Sequence, residues 1–246
     1  MKKRLIATSV IALGAFVGLT GCGQVPTKQN TPTQTPVANI TSTGHTVRID
    51  TKTGTQDSGI AQVTLLSPVG NLYQYAVPVS DGNIQDTLTV PWTGKTSVAV
   101  TDGSKMIENV DATVKGPALS EQQLDLLPSY LMDSNIPTVA NQAHAIASSV
   151  DETEPARTKA VASATMQWVK RHIHATNQAQ PARADQTLAS GSGNQASRAA
   201  LAIALLRADN IPSKAVQAQV MSHGLYSTSY AVDAWLNGKW TNIGTP

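Results

Sequence analysis

From His45 to about Lys115 apolar and polar residues alternate with a period of two, in short runs separated by turn signals. The runs are Thr46-Val47-Arg48-Ile49, Ile60 to Leu66, Leu72 to Val79, Ile84 to Val90, Thr96 to Thr101 and Lys105 to Val114. Between them stand Asp57-Ser58-Gly59, Pro68-Val69-Gly70-Asn71, Asp81-Gly82, Thr93-Gly94 and Asp102-Gly103. Strands at a spacing of about ten residues predict a small antiparallel β-sandwich over residues 43–117. Trp92 is read as a core or edge aromatic of that sandwich.

Past Gly116–Glu121 the period becomes helical. Ile136, Val139, Ala143 and Ile146 lie on one face of a helix spanning 136–150. Asp151 to Thr153 offer capping groups for the next helix, and Pro155 suits its first turn. That helix runs to about His174 and carries Val161, Ala164, Trp168 and Ile173. Ala199 to Ala208 is a third. Asn210 tolerates the left-handed backbone that stops a helix, and Pro212 forbids continuation. Lys214 to Met221, Tyr226 to Leu236 and Lys239 to Ile243 read as strands, with Asn237-Gly238 as a hairpin turn. Residues 118–246 are therefore predicted to be α+β, helices first and then an antiparallel sheet.

The first residues change the picture. Met1-Lys2-Lys3-Arg4 is a positive start, and Leu5 to Thr20 is apolar or small, the pattern of a secretory signal. It is short for a membrane span, which needs about 20 apolar residues. It ends in Leu19-Thr20-Gly21-Cys22, which resembles the lipobox cut by lipoprotein signal peptidase. Residues 1–21 are then a lipoprotein signal peptide and Cys22 the lipidated residue. The chain is expected to be exported and held by acyl chains such as palmitate on the extracytoplasmic face of a bacterial membrane. The following stretch, GQVPTKQNTPTQTPVANITS, holds three prolines and almost no large apolar residue. It reads as a flexible tether over 22–42, able to span at most ~65 Å.

Charge and cysteine usage exclude several classes. Without Lys2, Lys3 and Arg4 the basic groups number 15 against 16 acidic ones, so no basic field argues for nucleic acid. The chain has one cysteine, which permits neither an internal disulfide nor a thiolate zinc site. His172 and His174 are two apart, and on a helix such positions do not share a face. No metal or other cofactor is therefore expected.

The second half resembles the bacterial transglutaminase-like core, within the papain-type thiol fold. Trp168-Val169-Lys170-Arg171-His172-Ile173-His174 is similar to that family's Trp-Val-x-x-Asn-Ile-x-Tyr. Thr187-Leu188 with Gly191-Ser192-Gly193 resembles Thr-Leu-x-x-Gly-x-Gly. Leu205-Leu206-Arg207-Ala208-Asp209-Asn210-Ile211-Pro212 resembles Leu-Leu-Arg-Ala-x-Gly-Ile-Pro. Trp235-Leu236-Asn237-Gly238-Lys239-Trp240 resembles Tyr-Leu-x-Gly-x-Trp. For residues 118–246 the resemblance implies a transglutaminase-like domain. The preceding sandwich is Ig-like in strand pattern alone, because no Cys-Trp-Cys signature is present.

The family's chemistry needs a cysteine at a helix N-terminus, a histidine base on a following strand and an aspartate on the next. Spacing from Arg207 puts the nucleophile position at Gln195. Spacing from Trp240 puts the base at Ser229 and the orienting acid at Gly244. None of the three can do the work: an amide is a poor nucleophile, a serine is no base near neutral pH, and glycine has no side chain. The expectation is a domain without this catalysis, its groove serving to bind a peptide, a wall polymer or an envelope protein. Gln195, Ser229, Asn194 and His223 are the candidate binding residues. Two other readings stand beside it. One is a hydrolase or acyltransferase with Ser192 or Ser197 as nucleophile and His223 as base. The other is a purely structural envelope protein.

Overall fold

The computed structural model describes residues 39–54, 58–222 and 225–246. Cys22, the signal sequence and His223 lie outside the described residues, as does the tether before residue 39.

Seven strands come first: β1 (Asn39–Thr43), β2 (Thr46–Lys52), β3 (Gly59–Leu66), β4 (Leu72–Val79), β5 (Asn83–Thr89), β6 (Gly94–Asp102) and β7 (Lys105–Val114). They form two antiparallel sheets, ordered β1-β2-β5 and β4-β3-β6-β7. Strict alternation explains why the sheets face each other. Val47 and Ile49 on β2, Ala61, Val63 and Leu65 on β3, and Val98 and Val100 on β6 are all buried in one shared apolar cluster. Trp92 packs against this cluster and donates its indole N–H to Thr96 Oγ1 at 2.9 Å.

One boundary is corrected here. Residues 39–42, read as the end of the tether, belong to a strand, β1, that pairs along its whole length with β2. The last proline before it is Pro36, so nothing in 39–43 lacks the N–H that a ladder requires.

The remaining elements are α1 (Glu121–Leu124), α2 (Pro137–Ser148), α3 (Ala156–His172), β8 (His174–Ala175), α4 (Ala184–Ser190), β9 (Ser192–Gly193), α5 (Gln195–Ala208), β10 (Ser213–Ser222), β11 (Leu225–Leu236) and β12 (Lys239–Gly244). The last three make an antiparallel sheet in chain order, while β8 and β9 form a short parallel pair. From Ala199 to Leu206 helix α5 is apolar on all sides, and Leu201, Ile203, Leu205 and Leu206 are fully buried. A helix of that kind belongs in the middle of a domain. It packs against α2, α3 and α4 and against β10 and β11. Asn210 ends it at φ 60°, and the β11–β12 hairpin turns through Asn237 and Gly238, both with positive φ.

Three details differ from expectation. Helix α3 has Pro155 at its N-cap and no side-chain cap from Asp151–Thr153; the Thr153 carbonyl accepts the Ala156 and Arg157 N–H groups instead. Helix α5 starts four residues before Ala199, because Asn194 caps it. Helix α4 has no counterpart in the sequence pattern, because it is only seven residues long and lacks a clean apolar period.

The described residues belong to one compact unit. The segment after α1 joins its two apolar clusters by covering the β4 edge. Tyr130 N–H donates to the Gln74 carbonyl at 2.7 Å, and Asn135 Nδ2 donates to the Ala76 carbonyl at 3.2 Å. Arg207, on α5, donates to the carbonyls of Ser213 and Leu127 beneath this segment.

Candidate functional site

The N-terminus of α5 is built by residues that leave little freedom. Asn194 has an extended backbone, and its Oδ1 accepts both the N–H and the Oγ–H of Ser197, each at 2.8 Å. Its Nδ2 donates to the Gln178 carbonyl at 2.9 Å. Ser197 is fully buried, and its Oγ also accepts the Ala182 N–H at 2.9 Å. The loop before α4 is thereby stitched to the first turn of α5. Gly193 is required for the same junction: a Cβ there would lie 2.8 Å from Ser197 Cβ and 3.1 Å from Thr187 Cγ2.

The loop is anchored from its other side by a buried ionic cluster. Arg183 holds Asp185 through two bonds of 3.0 and 2.9 Å. Asp133 is completely buried, accepts the Asp185 N–H at 3.1 Å and lies 3.4 Å from Arg183 Nε. Burial, and then the neighbouring Asp185, push the Asp133 carboxyl up to about 8. The folded state therefore holds a proton that the unfolded chain has already released. Stability contributed by the neutral carboxyl is present below the ordinary aspartate range and is lost as pH rises towards about 8. Asp133→Asn is expected to flatten this decline; urea titrations between pH 5 and 9 would measure it. An unchanged slope would show that Asp133 is ionised throughout. Nothing in the sequence signals the cluster, because Asp133 and Arg183 are fifty residues apart.

On this frame Gln195 is the first residue of α5, and its Nε2 donates to Ser229 Oγ on β11 at 3.2 Å. Thirty-four positions separate the two in the chain. Gly244, at the end of β12, pairs with Val232. It therefore sits three residues along β11 from Ser229, about 10 Å of strand. Its backbone is left-handed at φ +95°, and no atom outside its chain neighbours lies within 4 Å of where a Cβ would stand. The Gly244 N–H donates to Asn242 Oδ1 at 3.2 Å, and Asn242 Nδ2 donates to Asp233 Oδ1 at 2.7 Å.

The chemistry available here is that of neutral hydrogen bonding. Gln195 and Ser229 carry no ionisable side chain. Asn194 is adjacent, but its side chain is committed to the cap and to Gln178. Ser197 is removed as a nucleophile, since its proton goes to Asn194 and its oxygen faces a backbone N–H. His172, at the end of α3, has its Nδ1 2.9 Å from the Trp168 carbonyl and stacks on that indole.

Comparison with known proteins adds a likeness to a family. No curated protein matches the chain. Solved structures similar to it include three that follow. A proposed cysteine protease from Cytophaga hutchinsonii has a TM-score of 0.43 at 12% identity, over 84% of this chain and 68% of that one. The periplasmic domain of TgpA from Pseudomonas aeruginosa has a TM-score of 0.38 at 15% identity, over 83% and 71%. A proposed protease from Parabacteroides distasonis has a TM-score of 0.37 at 14% identity, over 82% and 40%. Residues 144–244 match the model of the transglutaminase-like superfamily. The match begins inside α2, ends at Gly244 and encloses Gln195 and Ser229, so this part of the chain is similar to the transglutaminase-like superfamily.

Proposed function

We propose that this protein is an exported, lipid-anchored envelope protein whose transglutaminase-like domain binds a ligand without Cys-His-Asp catalysis. The observation that carries the reading is the Gln195–Ser229 hydrogen bond. An amide and a hydroxyl occupy the helix terminus and the strand where a nucleophile and its base would have to meet, and they satisfy each other. Cys22 would supply the anchor, the chain before residue 39 the tether, and the Ig-like first half a spacer. Peptides, wall polymers and other envelope proteins offer the amide and hydroxyl groups that a neutral groove can pair with. The reading requires neither nucleic acid nor any metal.

Three experiments test it. In a chain carrying Cys22→Ser, Gln195→Cys makes residue 195 the sole thiol. Adding Ser229→His is expected to speed its alkylation by iodoacetamide about tenfold or more, by drawing off the thiol proton. Equal rates would mean that the two positions do not form a nucleophile–base pair. Gly244→Asp should add less, since a left-handed backbone costs an L-residue roughly 1–2 kcal/mol. Binding is tested by capture from envelope extracts with the wild type and with Gln195→Trp. Loss of a specific partner from the variant supports the groove; identical partners in both argue for a purely structural protein. Hydrolysis of a peptide amide by the wild type, abolished by Gln195→Ala, would overturn the non-catalytic reading.

A further inference from the structure

Three exposed large apolar side chains stand together at one turn of the sandwich. Leu66 ends β3, Leu72 begins β4, and Val69 lies at the tip between them; they are 44%, 50% and 83% exposed. Leu66 and Leu72 are direct cross-strand partners, so their side chains share one face of the hairpin. Exposed apolar residues scattered singly need no explanation, but a cluster marks a contact surface.

The turn is closed on itself. The Ser67 N–H donates to the Asn71 carbonyl at 2.9 Å, the Gly70 N–H to the Ser67 carbonyl at 3.0 Å, and the Asn71 N–H to Ser67 Oγ at 2.9 Å. Pro68 has no N–H to satisfy. Gly70 supplies the left-handed backbone that the turn needs, at φ +86°. Residues 66–72 carry no charge. Lys95 and Asp111, which share a shallow recess with Leu66 and Pro68, neutralise each other at 2.9 Å. These properties select an occupant. A protein partner is registered by paired charges or by free backbone groups, and this turn offers few of either. A lipid interface asks for apolar side chains on a backbone whose polar groups are already bonded.

We propose that the β3–β4 turn is a lipid-contacting tip, with Val69 entering the boundary between headgroups and acyl chains and Leu66 and Leu72 resting at its edge. The proposal rests on the anchored reading for its nearby bilayer. Residues 23–38 would span at most ~55 Å, several times the roughly 17 Å length of β1, so the tip reaches the membrane that holds Cys22. The contact would fix one end of the sandwich instead of leaving it free on its tether.

The test uses a chain beginning at Gly23, which keeps every described residue and lacks the native thiol. Val69→Cys and, separately, Met106→Cys then carry a single environment-sensitive dye. Met106 is also exposed, but it pairs with Thr101, four residues along β6 from the level of Leu66 and towards the opposite end of the sheet. The probe is vesicles of phosphatidylcholine, taken to several millimolar lipid. Saturable growth of emission is expected at position 69 and none at 106. Val69→Asp without dye should raise the lipid concentration for half-binding at least about tenfold in vesicle sedimentation, since interfacial binding follows buried apolar area. It should melt like the wild type, because the side chain it replaces is exposed. No response at 69, equal responses at both positions, or growth at 69 that follows protein concentration without lipid would overturn the proposal; the last would assign the tip to a second copy. This chain carries no lipid, so a failure here is separate from a failure of the anchored reading, which the mass of Cys22 in protein extracted from membranes decides.

Discussion

Arg207→Ala is expected to lower the unfolding free energy by about 3–5 kcal/mol, the usual effect of removing one partner from a buried ionic group. The guanidinium is buried, and three of its nitrogens are used: Nε and Nη2 donate to the Ser213 carbonyl at 3.0 and 2.7 Å, and Nη1 donates to the Leu127 carbonyl at 2.5 Å. Asp125 lies 3.7 Å away and adds only a longer-range attraction. Truncation removes the guanidinium's bonds to both carbonyls, leaving Leu127 only the longer bond from the Tyr73 hydroxyl at 3.3 Å, and opens a cavity besides. Arg207→Lys should recover little, because one ammonium cannot copy a planar fork directed at two carbonyls. For a chain of this size the alanine variant should melt on the order of 10 °C lower. An unchanged melting temperature would mean that water reaches both carbonyls.

Gly193→Ala is expected to cost about 1–3 kcal/mol, the range for overpacking a tight interior. The added methyl meets Ser197 Cβ and Thr187 Cγ2, and neither is the free end of a long side chain. Ser197 is held by Asn194 and Ala182, and Thr187 is fully buried with its hydroxyl donating to the Arg183 carbonyl at 2.9 Å. Relief must therefore come from moving α5 or α4, which would also shift Gln195 away from Ser229. Thermal melts measure the stability, and the alkylation contrast at positions 195 and 229 measures the shift. If both are unaffected, the α4–α5 junction is looser than its distances imply.

How legible these features were depends on whether their cause is local. The alternation of Val47, Ile49, Ala61, Val63 and Leu65 predicts which face of each strand is buried, and the structure agrees. The same reading places residues 39–42 in the tether. A five-residue polar strand such as Asn-Ile-Thr-Ser-Thr has no pattern of its own, and only pairing with β2 makes it one. Helix α4 is in the same position: its seven residues hold little beyond Ala184 and Thr187 in the core. Within the candidate site, motif spacing selected Gln195 and Ser229, and the fold brings them to 3.2 Å. It gave no sign that Ser197, weighed as a nucleophile, is instead a buried link between a cap and a loop.

By itself the sequence determined the local conformations: the stops at Asn210 and Asn237, the alternating faces, and the presence of a single thiol at Cys22. Since Cys22 is that sole thiol, no cysteine at position 195 can act, whatever the fold. Tertiary structure alone decided which distant groups satisfy each other. Arg207 finds Leu127 across 80 residues, Asp185 finds Asp133 across 52, and Gln195 finds Ser229 across 34. The reason is physical. Backbone preference and apolar period act within a turn or a strand and select a face, whereas the partner of a buried polar group depends on which elements close over it.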